Sequence, residues 1–111
     1  MTEKEKMLNG ESYFAYDPEL MQDHHHAKEL CQQYNQITVS DTQEKSRVLK
    51  ELFQADYAAH IEANFFCDYG YNIKLGKNFY ANHNLIILDG APVIIGDNVM
   101  IAPNVGIYTT G

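Results

Sequence analysis

The chain has 111 residues, with 8 basic against 15 acidic side chains and a formal net charge of −7. That balance argues against a surface that tracks a phosphate backbone, where lysine and arginine would have to dominate. No stretch approaches the roughly 18 consecutive apolar residues that cross a membrane, and Met1–Gly10 has no apolar segment of the kind a secretion signal carries. The expectation is one small globular unit in a reducing cytoplasm, without nucleic-acid or membrane partners.

In chain order, three helices come first. Thr2 and Glu5 have the spacing of a capping box ahead of a short polar helix, which Gly10 can end. Asp17-Pro18 places an acceptor at the N-cap and proline at the first helical position of a second helix, whose apolar stripe reads Leu20, Met21, Ala27, Leu30, Cys31 and Tyr34. Ser40 with Gln43 is expected to open a third, with Val48, Leu49, Leu52 and Phe53 as its buried face. The run His24-His25-His26 falls in the second helix, where consecutive residues do not share a face; it is read as solvated rather than metal-binding. Residues 1–57 are thus expected to form a helical cap, and the lack of a Gly or Pro hinge over Tyr57–His60 predicts that it packs directly on the C-terminal half of the chain.

From residue 58 the period changes. Ile61, Cys67, Ile73, Phe79 and Leu85 recur every six residues, and Val93, Val99 and Val105 continue after a two-residue slip. Two cells read as an aliphatic residue followed by Gly-x-Asn, Leu75-Gly76-Lys77-Asn78 and Ile95-Gly96-Asp97-Asn98. Hexapeptide periodicity means short strands and corners wound into a parallel β-helix, with three hexads to a coil, apolar columns inside, and Gly or Asn at corners that require positive φ. Residues 58–111 hold too few coils to close such a stack, so the chain reads as the front part of something longer. Cys31 and Cys67 read as buried thiols rather than a disulfide.

Four segments carry a family resemblance: Glu3–Leu20 (EKEKMLNGESYFAYDPEL), Phe66–Ile73 (FCDYGYNI), Gly76–Asn84 (GKNFYANHN) and Ile95–Asn104 (IGDNVMIAPN). In order and spacing they resemble the maltose O-acetyltransferase family, with galactoside and nodulation-type sugar acetyltransferases as close relatives. The resemblance implies a mainly β fold with a helical N-terminal cap, a left-handed parallel β-helix, here truncated. It also implies a homotrimer with active sites between subunits, and transfer of an acetyl group from acetyl-CoA to a sugar hydroxyl with no metal. The base in the family is a His just beyond the stretch matched by Tyr108-Thr109-Thr110-Gly111, so the catalytic residue is expected to come after Gly111 and to be absent from residues 1–111.

For acceptor binding the resemblance points to Asn82 in Tyr80-Ala81-Asn82, Asp68 in Cys67-Asp68-Tyr69-Gly70, Asp17, and Asp89 at the slip, with Asn82 and Asp68 expected at one cleft. An amide can both donate to and accept from sugar hydroxyls, and a carboxylate accepts. Each also has a plain structural reading: Asn82 as a corner residue at positive φ, Asp68 as a solvated loop carboxylate, Asp17 as a helix cap. Tyr69, Tyr71, Phe79 and Tyr80 are expected to cluster about the acceptor, Phe79 as core and Tyr71 and Tyr80 as pocket wall. His60 reads as a polar junction residue, and His83 lies nearer the expected acceptor. The CoA-binding residues are not readable. Two other classes stay open: a non-catalytic hexapeptide scaffold or binding fragment, and an acetyltransferase for a non-sugar acceptor.

Overall fold

The computed structural model describes residues 1–109. Three helices, α1 (Glu3–Leu8), α2 (Pro18–Asn35) and α3 (Thr42–Phe53), precede eight short strands. These are β1 (Ala59–Ile61), β2 (Phe65–Cys67), β3 (Ile73–Leu75), β4 (Phe79–Ala81), β5 (Leu85–Leu88), β6 (Val93–Ile95), β7 (Met100–Ile101) and β8 (Gly106–Tyr108).

The helix starts are set by capping chemistry. Thr2 accepts from the Glu5 N–H while the Glu5 carboxylate accepts from the Thr2 N–H, both at 3.0 Å. Asp17 Oδ2 accepts from the Glu19 and Leu20 N–H groups ahead of Pro18 at the start of α2. At α3 the structure corrects the expected cap: Asp41, not Ser40, accepts from the Glu44 N–H at 3.2 Å. An ionised carboxylate at a helix N-terminus gains from the dipole as well as the hydrogen bond, which a serine hydroxyl does not.

Each of the first five strands pairs in parallel with the strand twenty residues later: Ala59 with Phe79, Phe65 with Leu85, Ile73 with Val93, Tyr80 with Met100, Ile86 with Gly106. Three sheets result, β1-β4-β7, β2-β5-β8 and β3-β6, which are the three sides of a parallel coil. A coil therefore takes twenty residues and not eighteen. The extra two sit at the same corner each time, after β2 (residues 68–72) and after β5 (residues 89–92). Only the second of these slips shows in the hydrophobic register. Ile61 and Cys67 occupy the third residue of their strands and Ile73, Phe79 and Leu85 the first. Strand side chains alternate with period two, so the first and third residues of a strand both face inward. A count by six passes from third-position Cys67 to first-position Ile73 and hides the first slip, but leaves β5 from first-position Leu85 and so meets the second.

Inward side chains stack in columns. Ile61, Phe65, Cys67, Ile73, Phe79, Leu85, Ile87 and Val93 are all buried, while Val99 and Val105 in the last coil are only partly so. The same core runs without a break into Ala27, Leu30, Cys31 and Tyr34 of α2 and Val48, Leu49, Leu52 and Phe53 of α3. The cap thus packs directly on the first coil, with Tyr34 donating its hydroxyl to the Ile61 carbonyl at 2.5 Å. Four corners hold asparagine at positive φ: Asn78, Asn84, Asn98 and Asn104. They pair one coil apart, Asn78 Nδ2 donating to Asn98 Oδ1 and Asn84 Nδ2 to Asn104 Oδ1.

Candidate functional site

The extra residues after β2 make a corner that bulges toward α2. Gly70 sits there at φ +85 with its α-carbon against Leu52, where a Cβ would lie 2.4 Å from the Leu52 carbonyl oxygen, so no side chain fits. The corner is held from below by Asp89, which is 0% exposed. Its Oδ1 accepts from the Asp68 and Tyr69 N–H groups at 2.9 Å and its Oδ2 from the Gly70 N–H at 2.7 Å. Asn72 closes the arrangement by donating to the Asp89 carbonyl at 2.7 Å. Burial pushes the Asp89 carboxyl above the usual carboxylate range, and the three backbone donors pull it back.

That environment changes the expected role of Asp89. A carboxylate whose oxygens are committed to backbone donors and sealed from solvent cannot also meet a sugar hydroxyl. Asp89 positions the corner on which Asp68 and Tyr69 are displayed.

Above the corner lies a cavity of about 570 Å³. One wall is the loop after α1, with Tyr13, Ala15 and Tyr16; a second is α2, with Met21, His24, His25 and Lys28; the third is Asp68 and Tyr69. The loop is tied back where the Phe14 N–H donates to Glu3 Oε1 at 2.6 Å. On α2, Met21, His24/His25 and Lys28 recur at the i, i+3/i+4, i+7 spacing of a single helix face. This corrects one expectation: Met21 is 52% exposed and lines the cavity instead of extending the core stripe. His24 and His25 are solvated as expected, with side chains 43% and 76% exposed, and their exposed faces line the same cavity. The recurrence is present in the sequence, but the consecutive His24-His25-His26 run masks it.

Asp68 is the polar centre of the cavity. His24 Nε2 lies 3.3 Å from Asp68 Oδ1, and Lys28 Nζ lies 3.8 Å from the same oxygen while donating to the Cys67 carbonyl at 2.9 Å. His24 also meets Tyr69 edge-on, with ring centroids 5.8 Å apart. Behind the wall, Tyr69 stacks on Tyr71 at 5.6 Å, and the Tyr71 hydroxyl donates to Asp23 Oδ2 at 2.7 Å. Lys4 pairs with Asp23 at 3.2 Å and sits over the Tyr71 ring at 4.4 Å. α1, α2 and the coil corner therefore meet at Tyr71, whose phenol is held protonated by burial first and by the Asp23 carboxylate second. Burial likewise pushes the Tyr69 phenol up to about 12.

The other expected residues fall elsewhere. Asn82 comes after β4 on a different side of the coil, is not among the cavity's lining residues, and accepts from the His83 N–H at 2.8 Å. The positive φ expected of it belongs to Asn84. Tyr80 stacks on His60 at 5.4 Å, away from Tyr69 and Tyr71, and Phe79 is core, so the four aromatic residues do not form one cluster. His60 also pairs with Glu62 at 2.7 Å. Asp17 caps α2 through Oδ2 and is not among the cavity's lining residues. Among the described residues no group of three or more His, Cys, Asp or Glu side chains converges as a metal site. Thr110 and Gly111, after which the base is expected, lie outside the described residues.

Residues 6–55 match the maltose acetyltransferase hexapeptide capping motif. A putative acetyltransferase of Saccharomyces cerevisiae is 52% identical over 109 residues, covering 96% of this chain and 56% of its own length. A maltose O-acetyltransferase from Clostridium difficile superposes with a TM-score of 0.94 at 44% identity, covering 98% of this chain and 59% of the other. Over nearly its whole length the chain resembles the hexapeptide-repeat acetyltransferase family. A further member of that family, from Vibrio cholerae, was solved with acetyl coenzyme A bound; it superposes with a TM-score of 0.82 at 34% identity over 96% of this chain and 57% of its own. The chain thus spans a little over half the length of the relatives it matches.

Proposed function

We propose that this chain carries the acceptor-binding part of an acetyl-CoA-dependent O-acetyltransferase whose acceptor is a sugar hydroxyl. The observation that carries the reading is the cavity itself. It sets the Asp68 carboxylate, steadied by His24 and Lys28, beside the rings of Tyr13, Tyr16 and Tyr69. A carboxylate takes hydrogen bonds from sugar hydroxyls, and aromatic rings pack against the apolar face of a pyranose. Among the described residues the N–H bonds to Asp17 fall on Oδ2, which leaves Oδ1 for a further hydroxyl.

In the reaction the acceptor oxygen forms a bond to the thioester carbonyl carbon, the C–S bond breaks, coenzyme A leaves as the thiolate, and a base takes the hydroxyl proton. No histidine of residues 1–111 is assigned that base; the family resemblance places it immediately after Gly111. The same resemblance supports left-handed winding and a homotrimer. The resemblance also implies active sites between subunits, which would give a role to Asn82, an Asn that the single chain leaves apart from the cavity.

The test is acceptor profiling with a protein that continues past Gly111 through the expected base: acetyl-CoA and a panel of maltose, glucose, a methyl galactoside, serine and an amino sugar, with products read by mass. Acetylated sugars are expected, with Asp68→Ala lowering kcat/KM for them by about tenfold or more. Acetylation of serine or the amine alone, or an unchanged Asp68→Ala rate, would overturn the reading.

A further inference from the structure

We infer that Cys31 and Cys67 are a disulfide-forming pair, a modification site that on oxidation fastens α2 to β2 directly beneath the cavity. The two sulfur atoms come from elements 36 residues apart in sequence and lie 3.8 Å from each other, both thiols free. Exposure is 1% at Cys31 and 0% at Cys67, so neither sulfur has a competing partner from solvent. A bond of about 2.05 Å needs the sulfurs to close by under 2 Å, within the reach of side-chain rotation on two elements that already pack together.

The surroundings set the order of events. Cys31 lies one turn after Lys28 on α2, and Lys28 Nζ is anchored on the Cys67 carbonyl at 2.9 Å. The hydrogen bond from Cys67 favours the Cys31 thiolate, with Lys28 adding to it, whereas Cys67 is held as the thiol by its contact with Cys31 and by burial. Cys31 is therefore the attacking sulfur and Cys67 the resolving one. With a low-molecular-weight disulfide such as glutathione disulfide as oxidant, the Cys31 thiolate bonds to one of its sulfurs and expels one glutathione thiolate. Cys67 then gives up its proton and attacks Cys31 in the mixed disulfide, expelling the second. Two protein thiols are oxidised, one external disulfide is reduced to two thiols, and the protons go to the departing thiolates.

Because both sulfurs are buried, the first step waits for α2 to lift from the coil. Oxidation then traps α2 in place. His24, Lys28 and Cys31 share one side of α2 and Asp68 is next to Cys67, so the cross-link fixes the separation between two walls of the cavity. This inference rests on the packing of cap against coil and stands whether or not the acceptor is a sugar.

The experiment incubates the folded protein over a range of glutathione to glutathione disulfide ratios, for long enough that the α2 amides exchange fully with deuterated water in a parallel sample. Acid-quenched intact mass and a peptide map are then read. The expected product has lost two hydrogen atoms, carries no glutathione, yields a Cys31–Cys67 cross-linked peptide, and melts several degrees higher than the reduced form, reversibly with dithiothreitol. Cys31→Ser, or Cys67→Ala should that variant fold poorly, is expected to show no change in melting temperature with oxidant. Two free thiols at every ratio, glutathione adducts alone, or chains cross-linked to one another would overturn the assignment.

Discussion

Asp89 and Tyr69 stand one coil apart at the same corner of the β-helix, and the buried Asp89 carboxylate receives the Tyr69 N–H at 2.9 Å. With the Asp68 and Gly70 N–H groups it forms a three-donor cradle, so the lower coil determines where the cavity's polar wall is displayed.

Removing that cradle leaves three buried N–H groups without an acceptor. Asp89→Ala is expected to cost about 3–5 kcal/mol, and the isosteric Asp89→Asn, which keeps one acceptor oxygen, about 1–3 kcal/mol. Thermal melts by circular dichroism read the order. Losses under 1 kcal/mol for both would show that the corner does not depend on Asp89.

The inward and outward positions of the strands should separate sharply. Ile87→Ala, in the β5 column at 1% exposure, is expected to lose about 2–5 kcal/mol. Lys74→Ala, outward on β3, should stay within about 0.5 kcal/mol. Urea midpoints measure both, and equal losses would contradict the alternation.

The asparagine corners predict a residue order. Asn84 has φ 66 and donates to Asn104 Oδ1 at 3.1 Å. Asn84→Val, a β-branched residue forced into the left-handed region, is expected to cost about 1–3 kcal/mol, and Asn84→Gly, which loses only the side-chain bond, about 1 kcal/mol or less. Glycine proving worse than valine would remove the conformational explanation.

Alkali should unfold the cap through Tyr34. Burial pushes its phenol up to about 12, against about 10 in an unfolded chain. Between those values the folded state holds the proton that the unfolded state releases. Stability is therefore fully present below pH 10 and falls by about 2–3 kcal/mol as pH rises through 12. Tyrosinate absorbance and a pH series of melts check this. Tyr34→Phe should be less stable at neutral pH, having lost the bond to the Ile61 carbonyl, and less sensitive to alkali.

Much of this architecture could be read in the residues, and the failures have physical causes. Capping at Thr2/Glu5 and Asp17/Pro18, the α3 face and the inward column were legible because each depends on local chemistry or a short period. The slip after β2 was not, since Cys67 at the third and Ile73 at the first inward position of their strands stay six residues apart across it. Nor was Asp89's role, because a carboxylate that binds backbone donors and one that binds a ligand are the same letter. The α2 wall of the cavity was readable in principle from Met21, His24/His25 and Lys28, but what it faces depends on a corner some 40 residues away, as with His24 and Asp68, which only the fold brings near.

The most direct test of the account is where a sugar lands on this chain. In an amide-resolved NMR titration with maltose, the shifts are predicted to concentrate at Tyr13, Tyr16, His24, Lys28, Asp68 and Tyr69, and to disappear in Asp68→Ala while the remaining spectrum is retained. Shifts at saturating maltose that map to another face of the coil, or that persist unchanged in Asp68→Ala, would contradict the assignment of the cavity to the acceptor.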